Sequence, residues 1–425
     1  MVEAAPRIEG DQLAAVQKRT VRVLMVGVIP AGAAMSGGFA AAATLGEDIT
    51  GSDTLGGLVA ACVSVGGALT TVPLAKLMAR KGRRVGIMTV YVVGLIGAFL
   101  CLTAAAMDNY LLLIPGMMGV GAGQTGTLSS RYAAADLATE STRAQAIGLL
   151  MWAGAWGSAI GPSLGLGPGS AVADALGLPE LAGPYLFSMI LFSVAAIYTS
   201  RSLRPDPLEL SGGMTGDATP RRTTLGALST IWKLPNARMA GAAMIAGHAV
   251  MVGVMTATPL HMKDGAHELR IVGFVISLHI VGMYFFAPVV GKLVDVIGPK
   301  LVIAMGGGIL FSGAELAAHT DAEHSMGVFF GLFFIGLGWS FGVVAASTLL
   351  TASVPIEKRV EVQGTADLLM VGAGATAGLT SGFVIESFGY HDLSHYAGLI
   401  GVALSVYAVV SLLPKRKSTR ERASV

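Results

Sequence analysis

Apolar stretches of roughly 20 residues recur along this chain, each long enough to cross about 30 Å of hydrocarbon as a helix. Twelve are counted, centred near Ala33, Val65, Leu95, Gly121, Gly154, Leu191, Met251, Val281, Ile309, Gly336, Gly374 and Leu404. The expected fold class is an all-α polytopic membrane protein. The longest polar interval, about 201–236, includes SLRPDPLELSGGMTGDATPRR. Its Pro, Gly and charge make it the expected linker between two six-helix bundles. The boundaries that follow are an N-terminal cytoplasmic segment at 1–20, bundles at 21–200 and 237–413, and a basic cytoplasmic tail at 414–425.

The two halves repeat each other. Arg143 and Gly148 in STRAQAIG match Arg359 and Gly364 in EKRVEVQG at 359 − 143 = 216 and 364 − 148 = 216. Gly82 in KGRR and Gly298 in IGPK are also 298 − 82 = 216 apart. Two membrane halves in parallel repeat place an expected substrate site between them, near the bilayer midplane.

Composition narrows the class. Of 425 residues, 53% are hydrophobic and 13% charged, and the mean hydropathy is +0.69. Soluble domains carry about 25% charged residues. A net charge of +2 gives no reason to expect a nucleic-acid partner. Cys62 and Cys101 lie in apolar runs and form neither a disulfide framework nor a zinc spacing. The polar start, EGDQLAAVQKR, predicts no removable signal peptide, so the first spanning helix inserts the chain.

Basic residues set the expected orientation. Arg80, Lys81, Arg83, Arg84, Arg143, Arg201, Arg204, Arg221, Arg222, Lys300, Lys358 and Arg359 fall in even-to-odd connections, and Lys415, Arg416, Lys417, Arg420 and Arg422 in the tail. The opposite loops hold almost none, with Lys263 and Arg270 as exceptions. Both termini are therefore expected in the cytoplasm, in a multi-pass protein of the cytoplasmic membrane.

The chain resembles the major facilitator superfamily along all twelve helices. AKLMARKGRR, Ala75 to Arg84, is similar to that family's loop motif between helices two and three, with Arg80, Gly82, Arg83 and Arg84 kept and Ala75 and Ala79 in place of its Gly and Asp. The second half carries GKLVDVIGPK, which keeps Gly291, Asp295 and Gly298 and has Val296 for Arg. The resemblance implies that these residues lock the bundles in one access state. In helix five, Gly148, Gly157, Gly161, Pro162 and Gly165 resemble the motif associated with drug/proton antiporters, changed at its last position to Leu166. Gly157, Gly161 and Gly165 share one helical face, and Pro162 removes an amide donor and bends the helix. Packing and hinging both fit such a face.

Candidate chemistry is sparse. Helix seven reads HAVMVGVM and helix eight SLHIVGMYF, so Met251 and Met255, and His279 and Met283, form two pairs each four residues apart. Thioether and imidazole donors suit Cu(I). The spacings resemble those of CcoA-like copper importers, which would make Met251, Met255, His279 and Met283 metal-handling residues. The alternative is packing plus a His, including His248, lining an organic-substrate cavity. Among acids, Asp367 is the first candidate for proton coupling, with His279 and His248 next. Its alternative role is to cap its own helix start. Glu315 is expected near the far interface, and Arg131 and Asp136 at the close of helix four. Gly121, Gly123 and Gly126 spell GxGxxG inside a membrane helix and serve packing, not nucleotide binding.

No GxxxxGK[ST] and no clustered carboxylates or HExxH are present, so neither P-loop ATP hydrolysis nor other enzyme activity is expected, and no cofactor. The expected function is secondary transport of a small molecule by alternating access, coupled to an ion gradient such as protons, in a lipid bilayer and as a monomer. Efflux by antiport and copper import stay open as alternatives; a non-transporting membrane sensor is a third. By resemblance, helices one, four, seven and ten line the cavity, with Met35, Gln124, Met251, Met255 and Trp339 as candidates and His279 reaching in from helix eight.

Overall fold

The computed structural model describes residues 10–215, 223–265, 269–321 and 325–413. Arg221, Arg222 and the basic tail at 414–425 lie outside the described residues, as do the side chains of Lys263 and Arg270. Among the described residues the ordered elements are helical. In hydrocarbon a backbone amide finds no water, and a helix satisfies each one within its own segment.

Eight helical stretches are long and apolar enough to cross a membrane. Two of them, Thr54–Ala106 and Ile356–Val410, each contain two helices separated by a glycine with positive φ. Tyr110–Ala135 and Arg143–Leu164 add two more, so the described residues form twelve long helices, as expected. In chain order α1 is Asp11–Thr50. The stretch Asp53–Ala106 divides at Gly82 into α2 (53–81) and α3 (83–106). Then come α4, Tyr110–Ala135, α5, Arg143–Leu164, and α6, Gly183–Ser202. In the second half α7 is Pro235–Asp264, and α8 is Leu269–Tyr284 continued by Ala287–Ile297. After α9, Pro299–Ala318, and α10, Ser325–Ser353, the stretch Arg359–Val410 divides at Gly389 into α11 (359–388) and α12 (390–410). α1 begins inside the polar segment assigned to 1–20, because DQLAAVQKR is rich in helix formers and has an acid in its first turn.

Two hydrophobic cores underlie the repeat. One is built almost wholly from α1–α6, the other from α7–α12. They touch where Ala144, Ile147 and Met151 of α5 join the second core and Val360 joins the first. The described parts of the interval at 201–236 carry the short helix Pro207–Leu210 and the helix Thr224–Lys233, whose Ala227 and Ile231 are buried.

The 216-residue repeat extends to the backbone. Gly82 (φ 87°, ψ 169°) and Gly298 (φ 87°, ψ 152°) make the same break at equivalent positions. At Gly82 the amides that start α3 are capped by the linker: Asp206 accepts from Arg83 N at 3.1 Å and Arg84 N at 2.8 Å, and also from Leu208 N at 2.9 Å. A Cβ at Gly82 would overlap the Asp206 carboxylate. Gly82→Ala is therefore expected to cost about 1–3 kcal/mol through the strained φ alone, read as a lowered midpoint in thermal unfolding of the detergent-solubilised protein.

Candidate functional site

The end of the bundle that carries Arg83, Arg143, Lys300 and Arg359 is here named the basic end. At this end the halves are sealed along two seams. In the first, α8 meets α5: Asp295 accepts from Ala144 N at 3.0 Å and Gln145 N at 2.9 Å, so its carboxylate caps the first turn of α5. Side-chain bulk is excluded there, since a Cβ on Gly148 would overlap the Ala287 carbonyl and one on Gly291 the Ala144 carbonyl. In the second seam α2 meets α11. Ala79 stands where Asp295 stands in the other repeat, and no carboxylate caps α11 from that position. Instead Arg83, 1% exposed, pairs with Asp136 (Nε–Oδ2 2.8 Å) and reaches across to Gln363 Oε1 at 2.8 Å. Gln363 in turn donates to Thr351 Oγ1 at 3.1 Å. Arg80, another basic residue of the motif, is exposed.

Beyond the seams lies a cavity of about 80 Å³. A single water needs about 10–15 Å³ on the same scale, so it holds several waters or part of a small solute. Gly32 and Met35 of α1 line it, with Gln124, Thr127 and Arg131 of α4, Met151, Gly154 and Ser158 of α5, Tyr284 of α8, Trp339 and Val343 of α10, and Met370 of α11. Met35, Gln124 and Trp339, named as candidates from the sequence, are among the lining residues. Its lining includes α5, α8 and α11, which the family pattern did not name, and no residue of α7.

Helix α7 acts from behind. His248 accepts the Trp339 indole N–H at Nδ1 (3.0 Å), which fixes the indole plane, and Tyr284 meets Trp339 edge-on with centroids 5.6 Å apart. That hydrogen bond leaves the other His248 nitrogen carrying its proton.

Arg131, which lines the cavity, forms a charge pair across the halves with a partner outside the lining. Arg131 of α4 and Asp367 of α11 form a buried salt bridge, with side chains 3% and 4% exposed. Tyr132 donates to Asp367 at 3.1 Å, and Arg131 also donates to Ser347 Oγ at 3.2 Å and Leu128 O at 3.1 Å. Arg131 and Ser347 are equivalent residues (347 − 131 = 216), so this contact lies where the two repeats meet their own counterparts. The equivalent of Asp367 is Met151 (367 − 216), so the charge is carried by one half alone.

Asp367 lies eight residues inside α11, about 12 Å from its start at 1.5 Å per residue. It faces another helix and does not cap its own. Asp136 closes the end of α4 as expected, but Arg131 turns inward, and the sequence analysis did not place it in the cavity. The only sequence signal for it was a charge five residues inside a helix.

The Met/His quartet is placed elsewhere. Met251 and Met283 are buried in the second core, Met255 packs against it, and none of the four lines the cavity. His279 is fully buried against α10, with Nδ1 2.7 Å from Leu332 O and Nε2 without a hydrogen-bond partner. Cβ atoms on Gly157 and Gly161 would overlap the Ile29 and Ala33 carbonyls, so this glycine face seats α5 directly on α1. Beyond Pro162, α5 passes into a π-helical turn at Gly165–Gly169. Such turns widen a helix locally and mark functional bends.

Two six-helix halves around a shared cavity, sealed at one end, define a membrane transporter. Comparison with known proteins agrees. The sequence model of the Major Facilitator Superfamily matches residues 23–364 and 254–424. The MFS-type transporter YdeG of Bacillus subtilis is 32% identical over 390 residues, covering 91% of this chain and 90% of its own. The riboflavin transporter RfnT of Brucella anthropi is 25% identical over 372 residues, covering 87% and 90%. Among solved structures, the human organic anion transporter MFSD10 superposes with a TM-score of 0.73 at 15% identity, covering 92% of this chain and 99% of its own. The E. coli fucose:proton symporter gives 0.65 at 15%, covering 93% and 98%. The chain belongs to the major facilitator superfamily and is a transporter, not an enzyme.

Proposed function

We propose that this protein is a proton-coupled secondary transporter for a small organic solute with a planar, partly polar body. The observation that carries this reading is the buried Arg131–Asp367 pair, which ties the two halves together and whose arginine lines their shared cavity. An intramembrane carboxylate is a functional candidate by default, and proton relay is one of the roles such residues take. When Asp367 takes a proton its attraction to Arg131 is lost, and with it a contact that holds the halves at this level. Loading the cavity and protonating Asp367 are thereby linked to the rocking of one half on the other. The same link serves symport or antiport, import or efflux.

The planar body follows from Trp339, whose ring is pinned by His248 and Tyr284, with Gln124, Thr127 and Ser158 as hydrogen-bonding partners. The riboflavin relative and the organic anion transporter of like fold are compatible with such a solute. The basic end is assigned to the cytoplasm, with both termini there, and the functional unit is the single chain with bundles at 21–200 and 237–413 joined by 201–236. Copper import through Met251, Met255, His279 and Met283 retains one support, the unpartnered Nε2 of His279. It lacks contact between the quartet and the cavity, so the organic solute is preferred.

The test is uptake of radiolabelled riboflavin into proteoliposomes with and without an imposed pH gradient, with a pH dye inside. Wild-type protein is expected to move riboflavin and protons together. Asp367→Asn is expected to keep exchange of riboflavin and lose the response to the gradient. Unchanged gradient dependence in Asp367→Asn overturns the coupling; no uptake above empty liposomes overturns the planar solute.

A further inference from the structure

Away from the cavity, at the end of the molecule opposite the basic end, four of the eight histidines gather around the C-terminus of α9. Two come as i, i+4 neighbours on α12: His391 Nδ1 is 2.9 Å from Ala318 O, and His395 Nδ1 is 2.7 Å from Glu315 Oε1. His319, at the end of α9, lies with Nδ1 2.9 Å from Glu315 O and 3.5 Å from Glu315 Oε2. The fourth is His261 of α7, whose Nε2 is 3.3 Å from Thr320 O and whose ring stacks on Tyr390 with centroids 4.1 Å apart. The ring centroids of His319 and His391 are 5.2 Å apart, and those of His391 and His395 6.4 Å.

Every one of these rings is directed at a carbonyl or a carboxylate belonging to the last turn of α9 or the residues just after it. That turn is the negative end of the helix dipole. Among the described residues the salt bridges of Glu315 are made to histidines, not to lysine or arginine. The rings of His319, His391 and His395 are 43–66% exposed, so protons reach them from the aqueous phase.

We propose that this cluster is a proton-operated clasp that binds the end of α7 to α9 and α12. Imidazole titrates near pH 6.5. Protonation converts the His395–Glu315 hydrogen bond into an ion pair and strengthens each ring's bond to the negative helix end. The clasp therefore tightens as pH falls through the histidine range and loosens as pH rises through it. Among the described residues the charged and titratable neighbours include Tyr396, whose ring centroid is 6.3 Å from that of His395. From α9 come Glu315 and His319, followed by Asp321; from α12 come Asp392, 4.0 Å from His391 Nε2, and Tyr390, whose hydroxyl bonds Thr258; from α7 comes His261.

The consequence falls on α7. Pro259 lies in α7 two residues before His261, where the helix lacks one amide donor and bends most easily. A tight clasp keeps this end of α7 against α9 and α12, away from the first half. An acidic medium at that face thus slows closure of the far end, independently of the charge pair at Asp367.

Hydrogen exchange of the full-length protein in detergent, read by mass spectrometry at pH 5.5 and pH 8 and corrected for intrinsic rates, tests the clasp. Amides at 255–265 and 315–321 of the wild type are expected to exchange on the order of fivefold more slowly at the acidic pH. His261→Gln is expected to abolish that difference at 255–265, and His319→Gln/His395→Gln to reduce it at 315–321, while amides in α1–α6 keep their wild-type rates, which shows that the variants are folded. Equal corrected rates at both pH values in the wild type, or a difference that survives in both variants, overturns the proposal.

Discussion

Arg131→Ala is expected to destabilise the protein by about 3–5 kcal/mol, the cost of stranding one partner of a buried ion pair. The reason is how thoroughly Asp367 depends on it. The carboxylate is 4% exposed, its salt bridge is to Arg131, and its other described hydrogen bond comes from Tyr132. Arg131 also ties α4 to α10 through Ser347. A cycle with Asp367→Leu and the double variant Arg131→Met/Asp367→Leu separates stability from function. The double variant removes both charges together and is expected to recover most of the lost stability, because replacing a buried pair by apolar side chains is often near neutral. It should recover none of the response to a pH gradient. Thermal unfolding in detergent, with each single and the double variant, measures the coupling. Additive single-variant losses would show that the two side chains do not act as a pair.

Gly148→Leu is expected to prevent closure of the basic end. At this glycine α5 and α8 approach so closely that even a Cβ would overlap the Ala287 carbonyl, and α8 offers Gly291 to the Ala144 carbonyl in return. A leucine forces the seam apart by the width of a side chain, and the Asp295 cap on Ala144 N and Gln145 N is pulled off with it. Each half keeps its own core, so the variant is expected to fold and to populate a state open at the basic end. A cysteine introduced at Thr348, which is 6% exposed in α10, reports this. The two native cysteines are buried and give little background. Thr348→Cys should react with a water-soluble maleimide about tenfold faster or more in the Gly148→Leu background, as a shift of about 1.4 kcal/mol between two states would produce. Unchanged labelling would mean that the seam is not what closes this end.

The repeat and the helices were legible in the sequence. Twelve apolar stretches became twelve helices because hydrocarbon leaves a backbone no other way to satisfy its amides. The 216-residue offset announced Gly82 and Gly298, and both adopt the positive φ that glycine allows. Asp295 stands in its motif and holds the seam; Ala79 stands where an acid is missing, and there the structure uses Arg83, Asp136 and Gln363 instead.

What the sequence alone determined, then, is the set of elements and their pairing by repeat, since span length, glycine positions and motif spacing are local or nearly so. The functional surroundings were decided by tertiary structure. Arg131 reads as a helix-end anchor until α11 brings Asp367 opposite it from 236 residues away. Asp367 reads first as a cap and next as a proton acceptor until the start of its helix is seen to lie two turns earlier. Met251, Met255, His279 and Met283 share faces by spacing, yet which face meets the cavity and which meets the core depends on how each helix is rotated against its neighbours. Helix rotation in a membrane leaves little trace in hydrophobicity, because core and lipid are both apolar and select the same residues. Only the packing of glycine faces and the pairing of a few buried charges fix it, and those are contacts between residues far apart in the chain.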